Sequence, residues 1–168
     1  AVVVQDDGQI PVSEHYFCNF SQCCCPDIPG RKRTNLLEMK MITQVTRGIK
    51  ISVKTSFEGT FFKNYKMHFA FGYTITIENQ SNDSVQLTTR HWDIYDALND
   101  MEVVDGEGVI GKKPVIRPGE SYSYSSGCLL ASPLGAMKGF YNMVNFSSTE
   151  KFRVYIPTFR LNAPFALN

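Results

Sequence analysis

The run Asp105-Gly106-Glu107-Gly108-Val109-Ile110-Gly111-Lys112-Lys113-Pro114 carries the spacing of two phosphate-binding fingerprints at once. Gly106, Gly108 and Gly111 spell G-x-G-x-x-G, and Gly106, Gly111 and Lys112 spell G-x-x-x-x-G-K. In both, glycines let the backbone approach a phosphate and a following helix N-terminus supplies N–H donors. The chemistry therefore needs a strand before the glycines and a helix after them. Met101 to Asp105 suits a strand, but Pro114 and the Arg117-Pro118-Gly119 turn leave no room for the helix. The second match also ends on Lys113, where a Ser or Thr hydroxyl should reach magnesium. The run reads as a glycine-rich loop between strands, where the chain needs positive φ or close backbone approach.

A weaker chemistry stays open in the same loop. Successive N–H groups around Gly106, Gly108 and Gly111 would form a concave anion nest, with Lys112 and Lys113 beside it. Arg90 would approach from a neighbouring strand. These six residues are the candidate site for phosphate or pyrophosphate, and Asp105 and Glu107 oppose it by adding negative charge.

Catalytic signals are sparse. A G-x-S-x-G nucleophile elbow is absent. His15 lies in the N-terminal segment, His68 on the polar face of a strand, and His91 beside Trp92. His91 and Asp93 are two apart and share one strand face, but two ligands do not make a metal site. Cys128, beside Leu129 and Leu130, reads as a packed thiol. Asp96, Asp100, Glu102 and Asp105 read as an acidic loop and strand face. Cys18, Cys23, Cys24 and Cys25 crowd one segment, whereas structural zinc sites split their ligands into separated pairs. No catalytic residue, metal or cofactor is expected.

Composition limits the partners. The 168 residues fit one domain, with 43% hydrophobic and 20% charged residues. A formal net charge of +1 creates no global field for nucleic acid or membrane. No apolar run approaches the roughly 18 residues of a membrane helix, and no secretory signal is visible. The N-x-S matches at Asn19, Asn79, Asn82 and Asn145 therefore carry little weight, and a cytoplasmic location is expected.

The elements that must hold these residues are strands. The chain changes character near Met41. Residues 1–40 show no sustained period, and hold the basic run Arg31-Lys32-Arg33 and a marginal helical stretch from Thr34 to Lys40. They are expected to be an extra segment, poorly ordered or non-native upstream sequence, with residues 41–168 forming the domain. From Met41 the period is two. Ile49, Ile51 and Val53 alternate with polar residues, as do Phe69, Phe71, Tyr73, Ile75 and Ile77. Turn signals at Asn79 to Asp83, Pro118-Gly119, Pro133 and Ser147-Ser148 separate such runs. The pattern predicts an all-β antiparallel sandwich or barrel of about seven to nine strands, with Trp92 as a core anchor.

Several motifs occur together and in order: Arg90-His91-Trp92, Gly106-Glu107-Gly108-Val109-Ile110-Gly111, Pro118-Gly119-Glu120, Tyr124-Ser125-Ser126-Gly127, Pro133-Leu134-Gly135-Ala136-Met137-Lys138-Gly139-Phe140-Tyr141 and Ile156-Pro157-Thr158-Phe159-Arg160-Leu161. From Met41 to Asn168 the chain closely resembles the bacterial ApaG family. The resemblance implies a fibronectin-III-like or immunoglobulin-like β-sandwich, in a family with no settled biochemical activity. With no catalytic constellation in the sequence, a non-enzymatic module that binds an unidentified protein partner is expected. The resemblance also implies an association with cobalt resistance and magnesium efflux. Pyrophosphate or (di)nucleotide binding at the glycine loop is the alternative. Lys112-Lys113 departs from the less basic residues common there, which favours an anion. An exposed sheet edge would allow a homodimer. Limited proteolysis tests the domain division: residues 1–40 should be removed first, and a protected N-terminal segment would contradict it.

Overall fold

The computed structural model describes residues 2–4 and 41–167. Among these residues ten strands follow in chain order: β1 (Val2–Val4), β2 (Ile42–Thr46), β3 (Ile49–Lys63), β4 (Lys66–Asn79), β5 (Val85–Asp96), β6 (Glu102–Glu107), β7 (Val115–Ile116), β8 (Ser121–Leu130), β9 (Leu134–Asn145) and β10 (Lys151–Asn162). A short 3-10 turn, Pro164–Leu167, closes the described chain. One sheet runs β1-β8-β4-β3-β2 and the other β10-β9-β5-β6, with β7 also paired to β5. Every pairing is antiparallel. The expected all-β sandwich is the fold observed. Two of the ten strands are only two and three residues long, and these carry the count past the expected seven to nine.

Alternation builds the core. Along β4, Phe69, Phe71, Tyr73, Ile75 and Ile77 are buried while the residues between them are half-exposed. The inward side chains of the two sheets meet at Trp92, which is 1% exposed. Its indole lies 5.7 Å from the Tyr73 ring and edge-on to Phe159 at 5.9 Å. Two-residue turns join β2 to β3 at Arg47-Gly48 and β3 to β4 at Asn64-Tyr65. All four residues have positive φ, as the tightest hairpins require.

Two polar residues do more than the sequence announces. Asn79, in the predicted turn, is fully buried. Its Nδ2 donates to the Asp83 and Ile116 carbonyls at 2.7 and 2.9 Å, and its Oδ1 accepts the Ser81 N–H at 3.0 Å. Asp96 is not part of an exposed acidic loop. It is 7% exposed and accepts from the Leu98 N–H, the Asn99 amide and the Ala131 N–H, so one carboxylate ties two turns together.

Val2–Val4 pair with Gly127, Cys128 and Leu129 of β8. Cys18, Cys23 to Cys25, His15, the basic run and the Thr34 to Lys40 stretch lie outside the described residues.

Cys128 is the packed thiol expected, at 1% exposure. Burial pushes its pKa from 9.0 up to about 12, and burial likewise raises Tyr73 from 10.0 to about 12. Both groups stay neutral in the folded chain after their unfolded counterparts ionise. Their contribution is complete below pH about 9 and is lost as pH rises toward about 12. The denaturant midpoint should fall across that window, and Cys128→Ala should make the fall shallower. An unchanged slope would contradict the assignment.

Candidate functional site

The glycine run is an excursion from one edge of β5. β6 pairs with β5 from Thr89 to Ile94, and β7 rejoins it at Val85 and Gln86. Between them the chain turns back on itself. Val109 and Lys112 exchange N–H to O bonds of 2.8 and 3.0 Å across Ile110-Gly111, both at positive φ. No helix follows, as the flanking prolines require. The bulge near Thr88 fixes the departure point: the Gly108 N–H donates to the Thr88 carbonyl at 2.8 Å, and the Thr88 hydroxyl donates to the Asn142 carbonyl.

Arg90 does reach this loop, from directly opposite Gly106. It is 9% exposed, and its Nη1 donates to the Glu107 and Gly108 carbonyls at 3.0 and 2.8 Å. Its Nε is buried with no partner among the described residues. Gly106 suits this packing, because a Cβ there would stand 2.6 Å from Arg90 Nη2 and displace the guanidinium. Gly108, at φ +58, is required twice over: its Cβ would fall on the Lys112 carbonyl oxygen. Gly111 has open space around it.

Of the six candidate residues, Arg90, Gly106 and Gly108 are brought together. The two lysines are not drawn into a common anion cradle. Lys113 pairs with Glu107 at 2.8 Å, a hydrogen bond that holds the Glu107 carboxyl below its ordinary range. Lys112 is exposed, and among the described residues it forms no ion pair. A shallow cleft of about 350 Å³ lies against Thr89, Arg90, Asp105, Gly106 and Glu107. The N–H groups of Gly108, Val109 and Lys112 are already bonded within the fold.

Inside, Arg90 faces buried phenols. Tyr124 and Tyr141 share a hydroxyl–hydroxyl hydrogen bond in the core. Burial raises both pKa values, and the Arg90 charge acts against the rise.

A second surface, only partly visible in the sequence, lies on the outer face of the β10-β9-β5-β6 sheet. Trp92 points inward, so His91 and Asp93 point out. They form a hydrogen-bonded chain with Asp105. His91 Nδ1 is 2.6 Å from Asp105 Oδ1, and His91 Nε2 is 3.2 Å from Asp93 Oδ1. Lys138 Nζ lies 3.9 Å from Asp93 Oδ2. Hydrogen bonding with Tyr95 raises the Lys138 pKa. Among the described residues, no cluster of three or more His, Cys, Asp or Glu side chains could hold a metal ion.

The His91 ring stacks on Phe140 at 4.6 Å, the Arg153 guanidinium lies 4.4 Å from the same ring, and Tyr155 meets its edge. Beside this ladder runs a groove of about 370 Å³, lined by Gln44, Asp93, Lys138, Phe140, Tyr155 and Thr158 among others. Sequence reasoning missed Phe140, Arg153 and Tyr155 as surface residues. The signal was the alternation of β9 and β10, which puts them on the face of His91 once register is known.

The ApaG domain model matches residues 60–145, more than half of the chain. The chain belongs to the ApaG family. It is 44% identical to Protein ApaG of Beijerinckia indica over 129 residues, covering 75% of this chain and 96% of that protein. It is 41% identical to Protein ApaG of Rhodospirillum centenum, covering 74% and 95%. A Bordetella pertussis crystal structure described as an ApaA protein superposes with a TM-score of 0.64 at 34% identity, covering 69% of this chain and 94% of that one. None of these three relatives is named for an enzymatic activity. Among the described residues, no helix of this ApaG-family chain is long and apolar enough to cross a membrane.

The two glycines give a graded test. Gly111→Ala suffers only the backbone strain of positive φ, about 1 kcal/mol. Gly108→Ala adds a collision with the Lys112 backbone and should cost about 2 kcal/mol or more. Denaturant unfolding of the two variants checks the order, and equal losses would contradict the packing described.

Proposed function

We propose that this ApaG-family domain is a non-enzymatic, cytoplasmic binding module that docks a protein partner on the outer face of its second sheet. The observation supporting this reading is the ladder of His91, Phe140 and Arg153 with Tyr155 beside the groove. Aromatic and arginine side chains dominate binding energy when a partner covers them. Here Phe140 is held between two neighbours, so little side-chain freedom is lost on binding. Neighbouring charges of both signs, at Asp93, Lys138 and Arg153, would fix the partner's orientation. A role in cobalt resistance or magnesium efflux is then indirect, exerted through the partner.

Pyrophosphate or dinucleotide binding at the glycine loop is the second reading. Its support is the buried, unpartnered Arg90 Nε and the cleft over Gly106. Asp105 and Glu107, which line that cleft, weigh against it.

One pair of variants separates the two. Arg153→Ala/Tyr155→Ala should lose a partner that wild type captures from cell extract, while Lys112→Ala/Lys113→Ala retains it. Calorimetry with pyrophosphate and diadenosine tetraphosphate should give no heat with wild type. Saturable heat that the lysine variant abolishes would favour the second reading, and measured turnover would contradict both.

A further inference from the structure

One end of the sandwich carries a set of exposed apolar side chains that neither binding reading uses. The turns meeting there are fixed by contacts within the fold. Asp96 bonds the Ala131 N–H, the Ala97 N–H donates to the Leu134 carbonyl, and the Phe165 ring packs on Phe57 and Phe69. The β3–β4 hairpin overhangs this end. The last rung it shares with β8 is Phe69 opposite Leu130, and Tyr65 lies four residues further, roughly 13 Å at about 3.3 Å per residue. The exposed set is Phe62, Tyr65, Met67, Leu98, Met101 and Phe165, with Tyr65 at 95% and Phe62 at 69% exposure.

Two features go beyond exposure. Tyr65 holds φ 60 at the hairpin apex, a conformation that bulky residues rarely adopt and that Gly or Asn would adopt at lower cost. The chain thus accepts strain and keeps an aromatic ring at its furthest point, the kind of outlier that concentrates at functional sites. The charge is also one-sided along the hairpin. From Gly59 to Ile77 there is no carboxylate, while Lys63 and Lys66 stand opposite each other in register and His68 follows. Asp100 and Glu102 sit in the neighbouring turn and strand, so the positive character belongs to the hairpin and not to the whole end.

We infer that this end of the sandwich docks on an anionic phospholipid surface, with Phe62, Tyr65 and Met67 entering the headgroup layer and Lys66 meeting a phosphate. The shape decides between a bilayer and a protein groove. The surface projects outward, and neither cleft is lined by its residues, so a fluid layer that deforms around it fits better than a rigid partner. Aromatic rings belong at the headgroup level, and nearby lysines gain from anionic lipid. The sequence expectation of no membrane partner rested on global charge and on the lack of a spanning segment. Surface docking needs neither. This inference is independent of the outer-face reading.

The test is co-sedimentation of the full chain with vesicles of phosphatidylcholine alone, and of phosphatidylcholine with about one-third phosphatidylglycerol. Binding is expected to the anionic vesicles only, and to weaken with added salt. Phe62→Ser/Tyr65→Ser/Met67→Ser should weaken it roughly tenfold or more. These side chains are exposed, so the variant should keep the wild-type melting temperature and Trp92 fluorescence. No co-sedimentation of wild type, or equal binding by the folded variant, would overturn the inference. Retention of a captured protein by this hairpin, without vesicle binding, would overturn it in favour of a protein groove.

Discussion

Strand β5 places a guanidinium on the inward side of a sandwich, and much of the surrounding structure answers to that charge. Alternation sends Trp92 and Arg90 in and His91 and Asp93 out. A buried cation without partners costs several kcal/mol. Arg90 finds the carbonyl oxygens of Glu107 and Gly108, and its charge reaches the buried phenols of Tyr124 and Tyr141. Presenting two carbonyls to one nitrogen needs a chain that passes close and turns sharply. Gly106 supplies the closeness and Gly108 the turn. The same alternation sets His91 against Phe140, so the buried charge and the exposed aromatic ladder are two consequences of one register.

A glycine motif with nucleotide-binding spacing can therefore arise from packing. The requirements coincide in part: both a phosphate and a guanidinium demand backbone approach without Cβ. They differ in polarity. A phosphate needs the N–H groups of the loop, while Arg90 takes its carbonyls. Here three of the loop N–H groups are spent on Thr88, Lys112 and Val109. What remains unused is the buried Arg90 Nε, and outside it lies a cleft bordered by carboxylates.

The fold was legible because period-two patterning is a local property. Phe69 to Ile77 announces its inward face without knowledge of any partner strand, and Trp92 stands out as the single large indole. The absence of a helix after Gly111 was equally readable, from Pro114 and Pro118. Asp96 was misread because its neighbours Asp100, Glu102 and Asp105 are acidic and one of its N–H partners, Ala131, lies on a distant turn. The aromatic ladder was missed for a related reason. His91, Phe140 and Tyr155 come from three strands, and their meeting depends on register, including the bulges near Thr88 and between Ile156 and Phe159. Spacing along one strand carries no record of that.

The central claim is that the glycine run is a hydrogen-bonded turn built against Arg90 and not an open nest of donors. Native-state amide hydrogen exchange, read residue by residue, tests it most directly. The amides of Gly108, Val109 and Lys112 should exchange slowly, like their neighbours in β5 and β6, while Ile110 and Gly111 exchange fast. Unprotected exchange at Gly108, Val109 and Lys112, with protection appearing only when pyrophosphate is added, would contradict it.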